Sequence, residues 1–189
     1  MKIGFAMCGS FCTFSQVFPV MEQLAQVHTL VPIFSPAVMA TDSRFGTAQN
    51  HWQRACAICG REPIGSIAQA EPIGPNKLLD VLVIAPCTGN TLAKLAHGIA
   101  DTAVTMAAKS HLRNARPVVL AISTNDGLAG AAENIGRILG RRHFYFVPFR
   151  QDAPQEKPAS LVADFGLLPA AVAQAAAGVQ LQPMLLGPV

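Results

Sequence analysis

The stretch from Asp80 to Asn114, DVLVIAPCTGNTLAKLAHGIADTAVTMAAKSHLRN, constrains the fold more than any other part of the chain. It opens with a continuous apolar run, Val81 to Ala85, the pattern of a strand buried on both faces. The run breaks at Pro86 into a small polar turn, Cys87-Thr88-Gly89-Asn90-Thr91. A helical pattern follows, with Leu92, Leu95, Ala96 and Ile99 spaced i, i+3, i+4 and i+7. Asn90 and Thr91 are placed to cap that helix. A strand, a hydroxyl- and amide-rich turn and a helix N-terminus together form an anion cradle, because the first amides of a helix have no acceptor behind them. The spacing predicts a phosphate there.

The start of the chain repeats the device. Ile3 to Met7 is a short apolar run, followed by Cys8-Gly9-Ser10-Phe11-Cys12-Thr13 and a helical pattern through Phe18, Met21, Leu24 and Ala25. Gly9 permits a tight turn and close approach of a ligand, and Ser10 adds a hydroxyl. One glycine is not the three-glycine dinucleotide fingerprint, and the second strand ends in Phe34-Ser35 rather than in an acid that would hold a ribose. Two such turns on neighbouring strands predict a mononucleotide-type ligand, not a nicotinamide dinucleotide.

The rest alternates strand and helix. Strands are expected at Thr29 to Phe34, Pro117 to Ile122 and His143 to Val147. Helices are expected from Gly46 to Gly60, from about Ala129 to Leu139 and, alanine-rich and closing the chain, from Leu161 to Ala177. Ile64 to Lys77 reads as a Pro- and Gly-punctuated connection, and Gln151 to Pro158 as a polar loop. This alternation predicts an α/β fold, a three-layer α/β/α doubly wound parallel sheet in one domain over residues 1–189, with order 2-1-3-4-5 or a close relative.

Of the 189 residues, 51% are hydrophobic and only 13% charged, which points to surface hidden in a homo-oligomer. No apolar run approaches the roughly 18 residues of a membrane span, so no membrane is expected as a partner. The first residues lack the pattern of a signal peptide. Net charge is +3 and the basic residues are scattered, which gives nucleic-acid binding no support. Arg141-Arg142-His143, the densest basic group, reads as a solvated helix end. Five cysteines without a disulfide-rich context read as reduced thiols of a cytoplasmic protein. Cys56 and Cys59, with His51 upstream, form half a metal site that nothing completes, so no metal is expected. Cys8 and Cys87 read as small polarizable lining rather than nucleophiles.

Specific phrases carry a family resemblance. IAPCTGNTLAKLAHGIAD, at Ile84 to Asp101, resembles the phosphate-loop motif A-P-x-T-x-N-T of the homo-oligomeric flavin-containing decarboxylase superfamily. CGSFC, at Cys8 to Cys12, matches the position of that superfamily's first flavin loop, and Ser35 to Phe45 its second. Three further phrases, TDSRFG, MAAKSHLRNARPVVLAISTND and FVPFRQDAPQEKPASLVA, are similar to the flavin-fold subunit of a two-subunit synthase of spore-forming bacteria. The likeness runs from about Lys2 to Pro183. It implies a Rossmann-like (flavodoxin-like) fold, FMN as cofactor, trimers or multiples of trimers, and residence in the mother cell of a sporulating bacterium. It also implies a dehydrogenase-like partner subunit, carrying NADP or NAD, with which an aromatic pyridine dicarboxylate is made. By the same resemblance the cofactor contacts fall on Gly9, Ser10 and Phe11, on Ser35 and Thr41, on Pro86, Thr88, Gly89, Asn90 and Thr91, and on Ser123, Thr124 and Asn125.

The chain departs from the superfamily where the decarboxylases carry P-x-M-N: it reads Ile122-Ser123-Thr124-Asn125 and keeps only the asparagine. No histidine matches the catalytic one of the coenzyme A branch. His51 and His97 both fall in expected helices, where a partly buried, satisfied side chain is the ordinary reading. No catalytic residue is assigned. A dicarboxylate substrate calls for a bidentate arginine, for which Arg44 is the candidate. Three readings follow: a flavin-binding oxidoreductase subunit, a flavin-free scaffolding or binding subunit of the same complex, and an FMN-dependent decarboxylase-like enzyme.

Overall fold

The computed structural model describes residues 1–187; Pro188 and Val189, the end of the expected domain, lie outside the described residues. In chain order the elements are β1 (Lys2–Met7), a 3-10 turn (Phe11–Thr13), α1 (Phe14–Ala25), β2 (Thr29–Phe34), α2 (Pro36–Ala40), α3 (Ala48–Cys59) and α4 (Ile67–Ala70). There follow β3 (Val81–Cys87), α5 (Gly89–His97), α6 (Ala103–Leu112), β4 (Val118–Thr124), α7 (Ala132–Leu139) and β5 (Phe144–Phe146). Two short strands, β6 (Phe149–Arg150) and β7 (Leu161–Ala163), and α8 (Leu168–Ala176) close the chain.

The core is the parallel order β2-β1-β3-β4, with β5 added in parallel along the first half of β4. Its centre is as apolar as the sequence requires: Val83, Ile84, Ala85, Val119, Leu120 and Ala121 are each 0% exposed. Strands covered by helices on both faces leave no position for a polar side chain, hence the unbroken Val/Ile/Leu runs. The expected order is observed, with an addition. Pro148 ends the β5 neighbourhood, and the second half of β4 pairs instead with antiparallel β7, Ser123 opposite Val162 and Thr124 opposite Leu161.

Several expected boundaries move. β3 continues through Pro86 to Cys87. Helix α5 stops at His97, where Gly98 takes the left-handed conformation, φ 73°, and Ile99 lies beyond it and exposed. Gly46 is not helical; α3 starts after Thr47, whose hydroxyl accepts from the Asn50 amide. The connection from Ile64 to Lys77 contains α4, and Ala129 to Ala131 precede α7 rather than starting it. The expected Leu161 to Ala177 helix is wrong in its first third: Leu161 and Ala163 point into the core as alternate residues of β7, and Pro169 marks the first turn of α8. Arg141 does more than end a helix, donating to the Leu95 and Ala96 carbonyls at the C-terminus of α5 (3.0 and 2.6 Å).

His111, in the last turn of α6, is buried and donates from Nε2 to the Pro117 carbonyl at 3.1 Å. Burial outweighs that bond and brings its pKa down from 6.5 to about 4. Because the folded value is depressed, neutral His111 stabilises the fold above about pH 6.5, and this contribution is lost as pH falls towards about 4. Urea unfolding across that range should show stability declining with acid. The decline should be shallower in His111→Gln, which keeps a donor but does not titrate; parallel curves for the two proteins would contradict this.

Candidate functional site

Four adjacent strands end on one edge of the sheet, and their exits meet around the point between β1 and β3 where the strand order reverses. Backbone and hydroxyl contacts tie the exits together. The Cys8 amide donates to the Pro86 carbonyl (3.2 Å), and the Ser35 amide to the Met7 carbonyl (3.0 Å). Ser10 Oγ and Ser123 Oγ share a hydrogen bond of 2.7 Å across the β1 and β4 exits.

The turn into α5 is built by Thr88. Its hydroxyl oxygen accepts from the Thr91 amide (3.3 Å), so Thr88, not Asn90 or Thr91, is the cap. Thr91 instead turns inward, buried, its hydroxyl donating to Cys8 Sγ at 3.2 Å. Gly89 and Asn90 occupy the first helical positions, where an amide has no intrahelical acceptor, and the helix dipole adds positive potential. Glycine at 89 keeps the turn close to the β4 exit: a Cβ there would stand 2.9 Å from Thr124 Oγ1 and 3.1 Å from Asp126 Oδ1, so those side chains would have to shift.

Beside this turn lies a cavity of about 350 Å³, lined by Gly9, Ser35, Pro36, Ala37, Thr88, Asn90, Thr91, Lys94 and Thr102. Ser35 is buried and its hydroxyl oxygen has no hydrogen-bond partner. Lys94, one turn beyond Asn90, reaches Asp101 at 2.8 Å. That ion pair holds the exposed Asp101 carboxyl below its ordinary range. Thr102 is the cap of α6.

The structure thus gathers Gly9, Ser35, Thr88, Asn90 and Thr91 around one cavity, with Ser10, Pro86, Gly89, Ser123 and Thr124 supporting its walls. Thr124 donates to the Asp126 carboxylate, and Asn125 is exposed at the same exit. Phe11 is not among the lining residues; its ring packs beside Gly9 and joins an aromatic group with Phe14 (centroids 5.3 Å apart) and His51. Thr41 is exposed at the end of α2, and Arg44 lies on an exposed turn with its guanidinium 4.8 Å from the Phe45 ring. Neither lines the cavity.

Neither histidine has the expected character: His97 is exposed, and His51 is buried with Nε2 unpaired. Among the described residues no three His, Cys, Asp or Glu side chains cluster to hold a metal ion, and the cysteines are all free thiols. Burial pushes the Cys8 thiol up to about 11 and the Cys87 thiol up as well, which disfavours a thiolate nucleophile at either. Lys94, Thr102 and Asp126 were missed by sequence reading. Only Lys94 left a signal, lying four residues after Asn90 and so on the same helix face.

An edge of parallel strands with a helix N-terminus and hydroxyl-lined turns is the arrangement of a doubly wound α/β anion site, and the chain belongs to the Flavoprotein family, whose profile matches residues 1–132. Within it the chain is similar to the dipicolinate synthase B subunit of Bacillus subtilis (strain 168), with 44% identity over 186 residues, covering 98% of this chain and 93% of that one. The crystal structure of the dipicolinate synthase B subunit from Bacillus halodurans superposes with a TM-score of 0.91 at 41% identity, covering 100% of this chain and 97% of that one. Burkholderia xenovorans DmrB in complex with FMN, a cubic protein cage for redox transfer, shares the fold at TM-score 0.67 and 19% identity, covering 91% of this chain and 93% of that one. No helix among the described residues is long and apolar enough to cross a membrane.

A buried hydroxyl without a partner is destabilising by about 1 kcal/mol or more. Ser35→Ala should therefore raise the stability of the ligand-free protein by roughly that amount in chemical denaturation. Equal or reduced stability would mean that the hydroxyl is satisfied.

Proposed function

We propose that the chain is the flavin-binding B subunit of a dipicolinate synthase. It acts with an A subunit that carries NADP or NAD to form pyridine-2,6-dicarboxylate in the cytoplasm of a sporulating mother cell. The observation that carries this reading is the cavity at the α5 N-terminus, lined by Ser35 with its buried, unpaired hydroxyl, in a chain 44% identical to the Bacillus subtilis protein.

The residues present fit FMN. The Gly89 and Asn90 amides and the Asn90 side chain would hold the phosphate, with Lys94 adding positive charge once drawn from Asp101. Ser35 would give its hydroxyl to a polar group of the cofactor, and Gly9 would let the β1 exit approach it closely. Ser10, Ser123 and Asn125 would face the ring or the substrate. Bound FMN supplies hydride and electron transfer. The chain's own part is to orient it, through the Thr88 cap and the Ser10–Ser123 bond, and to exclude water with the apolar sheet behind.

Thr41 and Arg44, exposed and outside the cavity, would meet a partner protein or a substrate approaching from solvent. Exposed Ile99, Leu128 and Leu139 support burial in a homo-oligomer, trimeric or a multiple of trimers. Asp126 favours a second reading. Its carboxylate adjoins Gly89, close to where the phosphate charge would lie, and in a flavin-free scaffolding subunit it would meet no such anion.

Because Asn90 is not the cap, Asn90→Ala should lower FMN affinity by about 1–2 kcal/mol in calorimetric titration while leaving the unfolding midpoint near that of the wild type. Unchanged affinity would remove this side chain from the site. For the complex, the A subunit with NADP and substrate should yield dipicolinate, followed by ultraviolet absorbance, at full rate only when this chain is added. Full activity from this chain alone would sink the two-subunit reading.

A further inference from the structure

A second cavity, of about 270 Å³, is lined by Phe14, Ser15, Phe18, Phe45, Gly46, Asn50, His51 and Arg54. Its floor is the His51 imidazole, which packs edge-on against Phe14 (centroids 4.7 Å apart) and is stacked with Phe11 and Phe18 at 6.0 Å. These ring walls offer no conventional hydrogen-bond acceptor. His51 is only 6% exposed, and its Nε2 has no partner.

What covers that nitrogen is a turn. Ser43 and Gly46 exchange backbone hydrogen bonds of 3.0 and 3.1 Å, and Gly46 sits at φ 129°, where side chains are rarely tolerated. A Cβ at Gly46 would stand 2.8 Å from the His51 Cε1 and 3.1 Å from Nε2. The turn therefore closes directly onto the imidazole edge. A phenylalanine at position 51 would suit the same aromatic surroundings without leaving a buried nitrogen unpaired, which is costly. Such a nitrogen is explained if the closed turn is the resting state and a ligand supplies the missing partner.

The chemistry around it selects the ligand. None of the lining residues is acidic, while Asn50, Ser15, Arg54 and the imidazole can all donate. Arg54 is held 4.5 Å over the Phe18 ring and 3.0 Å from Glu22, the neighbouring carboxylate. Arg44 rides on the turn beside Phe45, adding a second cation. Burial, reinforced by the Arg54 charge, keeps the His51 pKa below the ordinary histidine value, so the ring is neutral and has one N–H to give. Three phenylalanine rings suit a flat, unsaturated body.

We propose that this cavity binds a small planar aromatic carboxylate. The Ser43–Gly46 turn lifts, the carboxylate accepts from His51 Nε2–H and pairs with Arg54, and the ring lies among Phe14, Phe18 and Phe45. The proposal rests on this cavity alone and holds whether or not the first cavity contains flavin.

The test uses the full chain labelled with ¹⁵N-histidine, titrated separately with benzoate, pyridine-2,6-dicarboxylate and, as a tetrahedral control, inorganic phosphate. The expected result is a saturable shift of one imidazole signal with the aromatic carboxylates and none with phosphate. That signal should be missing from His51→Phe, and Arg54→Gln, a change on an exposed helix face, should weaken binding about tenfold. Adding FMN should leave the shift in place. No saturable His51 shift with either aromatic carboxylate, or equal affinity in wild type and Arg54→Gln, would overturn the proposal.

Discussion

The Cys8 amide reaching the Pro86 carbonyl at 3.2 Å ties the ends of β1 and β3 together, and the candidate site depends on that junction. It brings two strand exits side by side at the point where the sheet order reverses. Every other contact then follows. Thr91 can reach Cys8, and Ser10 can reach over to Ser123 on β4. The Thr88 cap fixes the axis of α5 so that its first amides face the gap between the strands. Since β1, β3 and β4 are buried on both faces, the exits cannot shift without disturbing the core.

Much of this was legible in the sequence, for physical reasons. Doubly buried strands must be continuously apolar, so Val81 to Ala85 and Pro117 to Ile122 announced themselves, and the hydroxyl-rich turn after Pro86 announced an anion site. The errors arose where local composition and tertiary context disagree. Leu161 to Ala163 adjoins an alanine-rich segment and reads as helix, yet an unpaired half-edge of β4 recruits it as a strand. Pro169 was the overlooked signal. Asn90 and Thr88 are both competent caps by type, and only the backbone of Thr88, extended at ψ 158°, selects it.

What the sequence could not disclose is satisfaction. Ser35 and His51 look ordinary as letters, and only the folded chain shows that a buried hydroxyl beside one cavity and an imidazole nitrogen beside another lack partners. Such groups oppose folding locally and are tolerated where a ligand completes them. The same burial that strands them also quiets the thiols: Cys8 and Cys87 lie against the site with pKa values pushed up, so the cavity presents hydroxyls, amides and one lysine rather than a nucleophile. That donor set suits holding a cofactor better than attacking a substrate.

The role proposed for the first cavity requires that the α5 N-terminus recognise a phosphate and thereby a flavin mononucleotide. Calorimetric titration of the purified chain with FMN and, in parallel, with riboflavin isolates that phosphate, since the two ligands differ in nothing else. The account predicts saturable binding of FMN and binding of riboflavin weaker by about a hundredfold or more, through loss of the charge-assisted hydrogen bonds to the phosphate. Equal affinity for both ligands would contradict it.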